Sequence, residues 1–174
     1  MPSTYTLISS NVLSSSAASV TFSAIPSTYT DLVVRISART DRASQNNSFI
    51  AVKPFNSDTG TNYSYTILTG NGAAASTFNE SNVAYSAMGY VDATTATSNT
   101  YASLELYIPS YTASQNKPIS TFGAHENNAT TAYLAATAGL WRNTAAITGV
   151  TIDTLGQGSF IATSSFYLYG IKNS

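Results

Sequence analysis

Asp31-Leu32-Val33-Val34-Arg35-Ile36-Ser37-Ala38-Arg39 is the stretch on which the fold class turns. Leu32, Val34, Ile36 and Ala38 alternate with Val33, Arg35, Ser37 and Arg39. On an extended chain, residues two apart share a face. The segment therefore reads as a strand with one face on a core and the other toward solvent or a partner. The same period runs through Tyr63, Tyr65 and Ile67, set against Ser64, Thr66 and Leu68. It recurs in Leu104, Leu106 and Ile108, set against Ser103, Glu105 and Tyr107.

Further strands are expected over 5–9, 19–24, 49–53, 84–91, 119–125, 132–142, 146–152, 159–162 and 166–172. Turn signals separate them: Asn56-Ser57-Asp58-Thr59-Gly60, Gly70-Asn71-Gly72, Asn127-Asn128 and Gly156-Gln157-Gly158. Gly and Asn tolerate the positive φ that tight turns demand. Pro26, Pro54, Pro109 and Pro118 stand at run edges, where a missing N–H does least harm. The region 73–100 holds few large apolar residues and reads as long loops around one strand. The Ala-rich stretch 132–140 leaves a helical alternative, opposed by Tyr133, Thr137 and Gly139. Many short strands at this spacing predict an all-β, antiparallel, jelly-roll-like β-sandwich of eight core strands plus extras. With no linker or composition shift, 1–174 reads as a single domain. Ile25-Pro26-Ser27-Thr28-Tyr29-Thr30 is echoed in Ile108-Pro109-Ser110-Tyr111-Thr112, too briefly to mark a duplication.

Composition narrows the function. Of 174 residues only 9% are charged and the net charge is -1, against about 25% charged in ordinary soluble chains. Hydroxyl takes the place of charge, with 26 Ser and 25 Thr, and there are 14 Asn and 12 Tyr. Clustered Lys and Arg for phosphate neutralisation are missing, so no nucleic-acid partner is expected. No apolar run reaches about 18 residues, so no membrane span is expected. The N-terminus lacks a basic and apolar leader. The Asn-x-Ser/Thr triplets at Asn46, Asn62, Asn79 and Asn128 are therefore discounted as glycosylation sites. Without Cys and with one His, thiolate and multi-His metal sites are excluded.

Chemistry needs converging titratable groups, and the eight carboxylates are scattered. His125 and Glu126 are adjacent, so on a strand they point to opposite faces and cannot act together. Asn56-Ser57-Asp58-Thr59-Gly60 only loosely resembles a calcium loop, which needs more acids and a closing Glu. No catalytic, cofactor-binding or metal-ligating residue is assigned. Arg35, Arg39 and Arg42 are three of the four Arg. They are read either as a solvated face or as a contact patch for an acidic partner. Trp141 is read as core or interface, with sugar stacking as the alternative.

The C-terminal part carries a resemblance. Leu140-Trp141-Arg142, then Ala146-Ile147-Thr148-Gly149-Val150-Thr151-Ile152, then Phe160 and Ser164-Ser165-Phe166-Tyr167-Leu168-Tyr169-Gly170-Ile171 resemble small virion proteins of tailed bacteriophages, aquatic and cyanobacterial phages among them. Asp31–Arg39 and Asn62-Tyr63-Ser64-Tyr65 are similar to that family too. The likeness covers most of the chain and is strongest after residue 130. It implies a jelly-roll-like sandwich without enzymatic activity, often a homotrimer, resident in the virion. The Leu-Tyr-Gly-Ile ending recurs in head-decoration and tail-fibre proteins alike. With strand signals from the start and no stalk before them, the expectation is a cement or decoration protein on the capsid surface. Its partner would be the major capsid protein, contacted through Arg35, Arg39 and Arg42. The alternative is a tail-fibre, neck or baseplate subunit that binds a host glycan, with Trp141 as the stacking residue.

Overall fold

The computed structural model describes residues 4–172; Met1–Ser3, part of the segment read for a leader, lie outside the described residues. Twelve strands follow one another: β1 (Tyr5–Val12), β2 (Ser19–Phe22), β3 (Asp31–Ala38), β4 (Asn47–Phe55), β5 (Tyr63–Gly70), β6 (Ala75–Val83), β7 (Ser86–Asp92), β8 (Ala102–Ile108), β9 (Lys117–Glu126), β10 (Ala132–Trp141), β11 (Val150–Asp153) and β12 (Ser165–Ile171). All pairings between these strands are antiparallel. An eight-stranded sheet runs β1-β12-β3-β8-β9-β10-β5-β6, and a four-stranded sheet runs β2-β11-β4-β7.

The order explains itself once two hairpins are set aside. Without β5–β6 and β9–β10, successive strands alternate between the sheets except at β4 and β7, which are neighbours in the smaller one: β1-β12-β3-β8 on one side, β2-β11-β4-β7 on the other. That alternation is a jelly roll, as the spacing of strand signals predicts. The two hairpins pair with each other through β10 and β5, and with the sandwich through β9 and β8. They prolong the larger sheet past the last strand of the smaller one.

The core lies between the sheets. Leu32, Val34, Ile36, Leu104, Leu106 and Leu168 face Val20, Ile50, Val52, Val150 and Ile152, all nearly or fully buried. Burying each such aliphatic side chain stabilises the fold by about 1.5–3 kcal/mol. A second cluster of Phe49, Tyr65, Ile67, Ala87 and Ala135 joins the hairpin extension to β4 and β7. The echoed Ile-Pro-Ser segments meet at one end, where the Tyr111 hydroxyl donates to the Pro26 carbonyl. Tyr29 packs on the backbone of Gly170, where an added Cβ would fall 2.3 Å from its ring. The Gly of Leu-Tyr-Gly-Ile thus answers a packing demand.

Three local readings change, and the helical alternative falls. Residues 75–83 form β6, where loop was expected; every residue but Val83 is exposed, so no buried face imprints a period. Residues 159–162 form no strand, although Phe160 bridges Ala17 and Thr40. The strand expected over 146–152 is only β11. Residues 132–140 are not helical: β10 is paired on both sides, by β9 and β5.

Candidate functional site

Register builds the broadest feature of the molecule. Across all eight strands of the large sheet, Ser10, Tyr167, Arg35, Glu105, Phe122, Ala136, Leu68 and Thr77 align in one row. On one side of it lie Leu7, Tyr169, Val33, Tyr107, Ser120, Ala138, Thr66 and Asn79, and on the other Val12, Ser165, Ser37, Ser103, Ala124, Leu134, Gly70 and Ala75. These rows form the middle of the sheet face turned away from the core; Asp31 and Glu126 stand at its two ends, each held by hydrogen bonds. The only charged residues of the three rows are Arg35 and Glu105, which neutralise each other at 2.8 Å. Phe122 is 61% exposed, and Leu7, Val12, Leu68 and Leu134 are exposed as well. Single exposed apolar side chains are ordinary, but a face that combines them with hydroxyls and almost no charge has the composition of a contact surface.

The three arginines do not make one patch. Arg35 is exposed within that face. Arg39 follows the end of β3 and is buried, 7% exposed. Its guanidinium donates to the carbonyls of Thr97, Thr100 and Ala96 at 2.7, 3.2 and 3.1 Å, holding the 96–100 loop. A buried cation so engaged cannot greet a partner, so Arg39→Glu would disrupt this loop anchor and says nothing about docking. Arg42 is half-buried and bonds the Asn47 carbonyl and Gln157 Oε1 at 3.1 and 2.7 Å.

Trp141 is fully buried. It stacks on Tyr63 at 6.3 Å, packs on Phe55 at 5.3 Å, and donates from Nε1 to Asp58 Oδ2 at 2.8 Å. It has no face to offer a sugar; the core reading holds and the stacking reading does not. Asp58 also accepts from Gly60 N, at 2.9 Å, and from the amides of Asn62 and Asn143. The hydrogen bond from Asn62, then that from Trp141, hold its carboxyl below the usual range. The 56–60 segment is therefore a turn whose one acid is consumed by protein donors. Among the described residues no group of three His, Asp or Glu is placed to hold a metal ion.

The alternation expected of His125 and Glu126 is observed. Glu126 accepts from Thr97, Thr100 and Asn128. Burial works to raise its carboxyl, but these bonds together keep it below its ordinary value. His125 points the other way, buried between Tyr133, stacked at 4.8 Å, and Tyr90 at 5.7 Å. Its Nδ1 lies 3.9 Å from Asp92 Oδ1, beyond hydrogen-bond reach, and has no partner among the described residues. Burial lowers the imidazole and raises the Asp92 carboxyl. His125 is accordingly neutral at pH 7.

These rings wall a cleft of about 340 Å³. It opens where the hairpin extension overhangs β7, the end strand of the smaller sheet. Asn47, Thr69, Asn71 and Ser76 complete its lining with Tyr90, His125 and Tyr133. Neither the exposed row through Phe122 nor this cleft was singled out from sequence. The 63–68 alternation hinted at the first by setting Leu68 opposite Tyr65 and Ile67. The second depends on pairing across hairpins, which no local pattern reports. No family model, curated protein or solved structure matches the chain.

Proposed function

We propose that this chain is a structural, non-enzymatic subunit of a tailed-phage virion, a cement protein that binds the assembled capsid shell. The observation that carries the reading is the outer face of the eight-stranded sheet, wide, hydroxyl-rich and bearing one internal ion pair. The resemblance of the 140–171 region to small phage virion proteins supports it. A protein that binds only the assembled lattice stabilises that lattice by mass action. Bridging neighbouring copies of the major capsid protein suits a homotrimer at a three-fold axis.

The test is light scattering of the recombinant chain, alone and with empty capsids of its source virus. A stable trimer that loads to saturation is expected. Phe122→Lys, at an exposed position, should keep the melting temperature and reduce loading at least tenfold. A chain that leaves capsids bare overturns the cement role. The second reading is a tail-fibre, neck or baseplate subunit, and the cleft beside His125 favours it. Under that reading the chain binds host-cell polysaccharide and ignores capsids.

A further inference from the structure

We infer that the cleft between the hairpin extension and β7 binds a single unit of neutral carbohydrate. Its size, about 340 Å³, lies at the small end of ligand pockets, which run ~300–1,000 Å³. Its lining contains no Lys, Arg, Asp or Glu side chain. A charged ligand would find no counter-ion there, and the buried Asp92 carboxylate stands 3.9 Å from His125 Nδ1.

What the lining offers is unspent hydrogen-bonding capacity beside aromatic rings. Asn71 uses Oδ1 to accept from Ala73 N and Ala74 N at 3.0 and 2.7 Å, which fixes the turn and leaves its Nδ2 donor unspent among the described residues. Asn47 gives Nδ2 to Asn46 and keeps Oδ1. Tyr90 packs its ring on Phe49 and has no hydrogen bond at its hydroxyl among the described residues. The imidazole of His125 offers the cleft Nε2 alone, since its Nδ1 is buried beside Asp92. A polyol with apolar C–H patches matches amides, hydroxyls and ring faces held this way; an aliphatic ligand would leave the polar groups unpaired. The cleft also sits on the part of the molecule added to the jelly roll, where function is commonly grafted onto a fold. The inference does not rest on the cement role: the cleft shares only Gly70 and Leu134 with the outer rows, and it is tested on the isolated chain.

Two unique residues make the test direct, because the chain has one His and one Trp. The full chain is titrated with glucose, galactose, mannose and N-acetylglucosamine. The His125 ring and Trp141 indole resonances are followed by NMR. At least one sugar should move His125 saturably while Trp141, in the core cluster around Tyr63, stays still. Glucuronic acid should bind more weakly than that sugar. Tyr90→Phe removes only an unpaired hydroxyl, so the fold is kept and affinity should fall about tenfold, the loss of one hydrogen bond. A host polysaccharide containing the sugar, added as a separate arm, distinguishes a polymer-bound unit from a free one. No sugar moving His125, equal movement of Trp141, or unchanged affinity in Tyr90→Phe overturns the inference.

Discussion

Thr137 and Thr121 stand opposite each other on β10 and β9 and show what one hydroxyl does in a dry interior. Both are buried. Thr121 donates to the Met88 carbonyl at 2.8 Å, while the Thr137 Oγ1 has no partner among the described residues. A buried hydroxyl without a bond carries its desolvation penalty uncompensated. Thr137→Val should raise unfolding stability by about 1 kcal/mol and Thr121→Val should lower it by about as much; urea melts of the two variants check the contrast. His125 provides the pH dependence at this scale. Burial holds its folded pKa below the ordinary 6.5, so the unfolded chain takes up the proton first. Stability is complete above that value and declines as pH falls below it. As the chain's one histidine, it is the side chain whose ordinary titration falls between about pH 7.5 and 5.5. Denaturant melts across that window should show the wild type weakening and His125→Gln holding level. Equal losses in both would assign the effect elsewhere.

Strands in this protein are of two kinds, and only one leaves a trace in the sequence. β3, β8 and β9 have one face on the core, and β8 and β9 alternate buried with exposed along their length. β6 is held to β5 by backbone pairing, with Ser, Thr and Asn along it. Phe78 rests on Phe49 and Tyr65 and Val83 is half-buried, but eight of the nine residues of β6 are exposed, which is why composition alone reads it as loop. The hairpin extension is locked onto the jelly roll by close backbone approach at Gly139 of β10. A Cβ there would lie 2.2 Å from Ser86 Oγ on β7 and 2.6 Å from Ile119 Cγ1 on β9. Gly139→Ala should cost about 1–3 kcal/mol, the range for overpacking. Thermal melting measures it, and a loss within a few tenths of a kcal/mol would mean that the extension is not clamped there.

At the scale of the molecule, scarcity of charge shapes how the protein associates. With a net charge of -1 and one ion pair across the three outer rows, contacts through the large sheet rest on shape, apolar area and hydroxyl bonds. The Debye length falls from about 10 Å at 0.1 M salt to about 3 Å at 1 M, which weakens ion-paired interfaces and leaves these intact. Capsid loading should therefore be nearly the same at both concentrations. A steep loss at 1 M would show that Arg35, Arg42 or other charges carry the docking after all.

The sequence by itself determined the class of fold. Period-two alternation at 31–39, 63–68 and 103–108 is a local record of which residues face a core, and turn residues mark where each strand stops. From this the sandwich and its eight-strand jelly roll with additions were legible. Tertiary structure alone decided the rest. Arg39 shares strand parity with Arg35 in sequence, yet β3 ends at Ala38 and Arg39 lies buried against the 96–100 loop. Trp141 is an aromatic like any other until Asp58, far along the chain, accepts its N–H. The charge-poor face and the cleft at His125 exist because register aligns residues from strands distant in sequence, and such alignment is a property of pairing between segments that neither segment encodes alone.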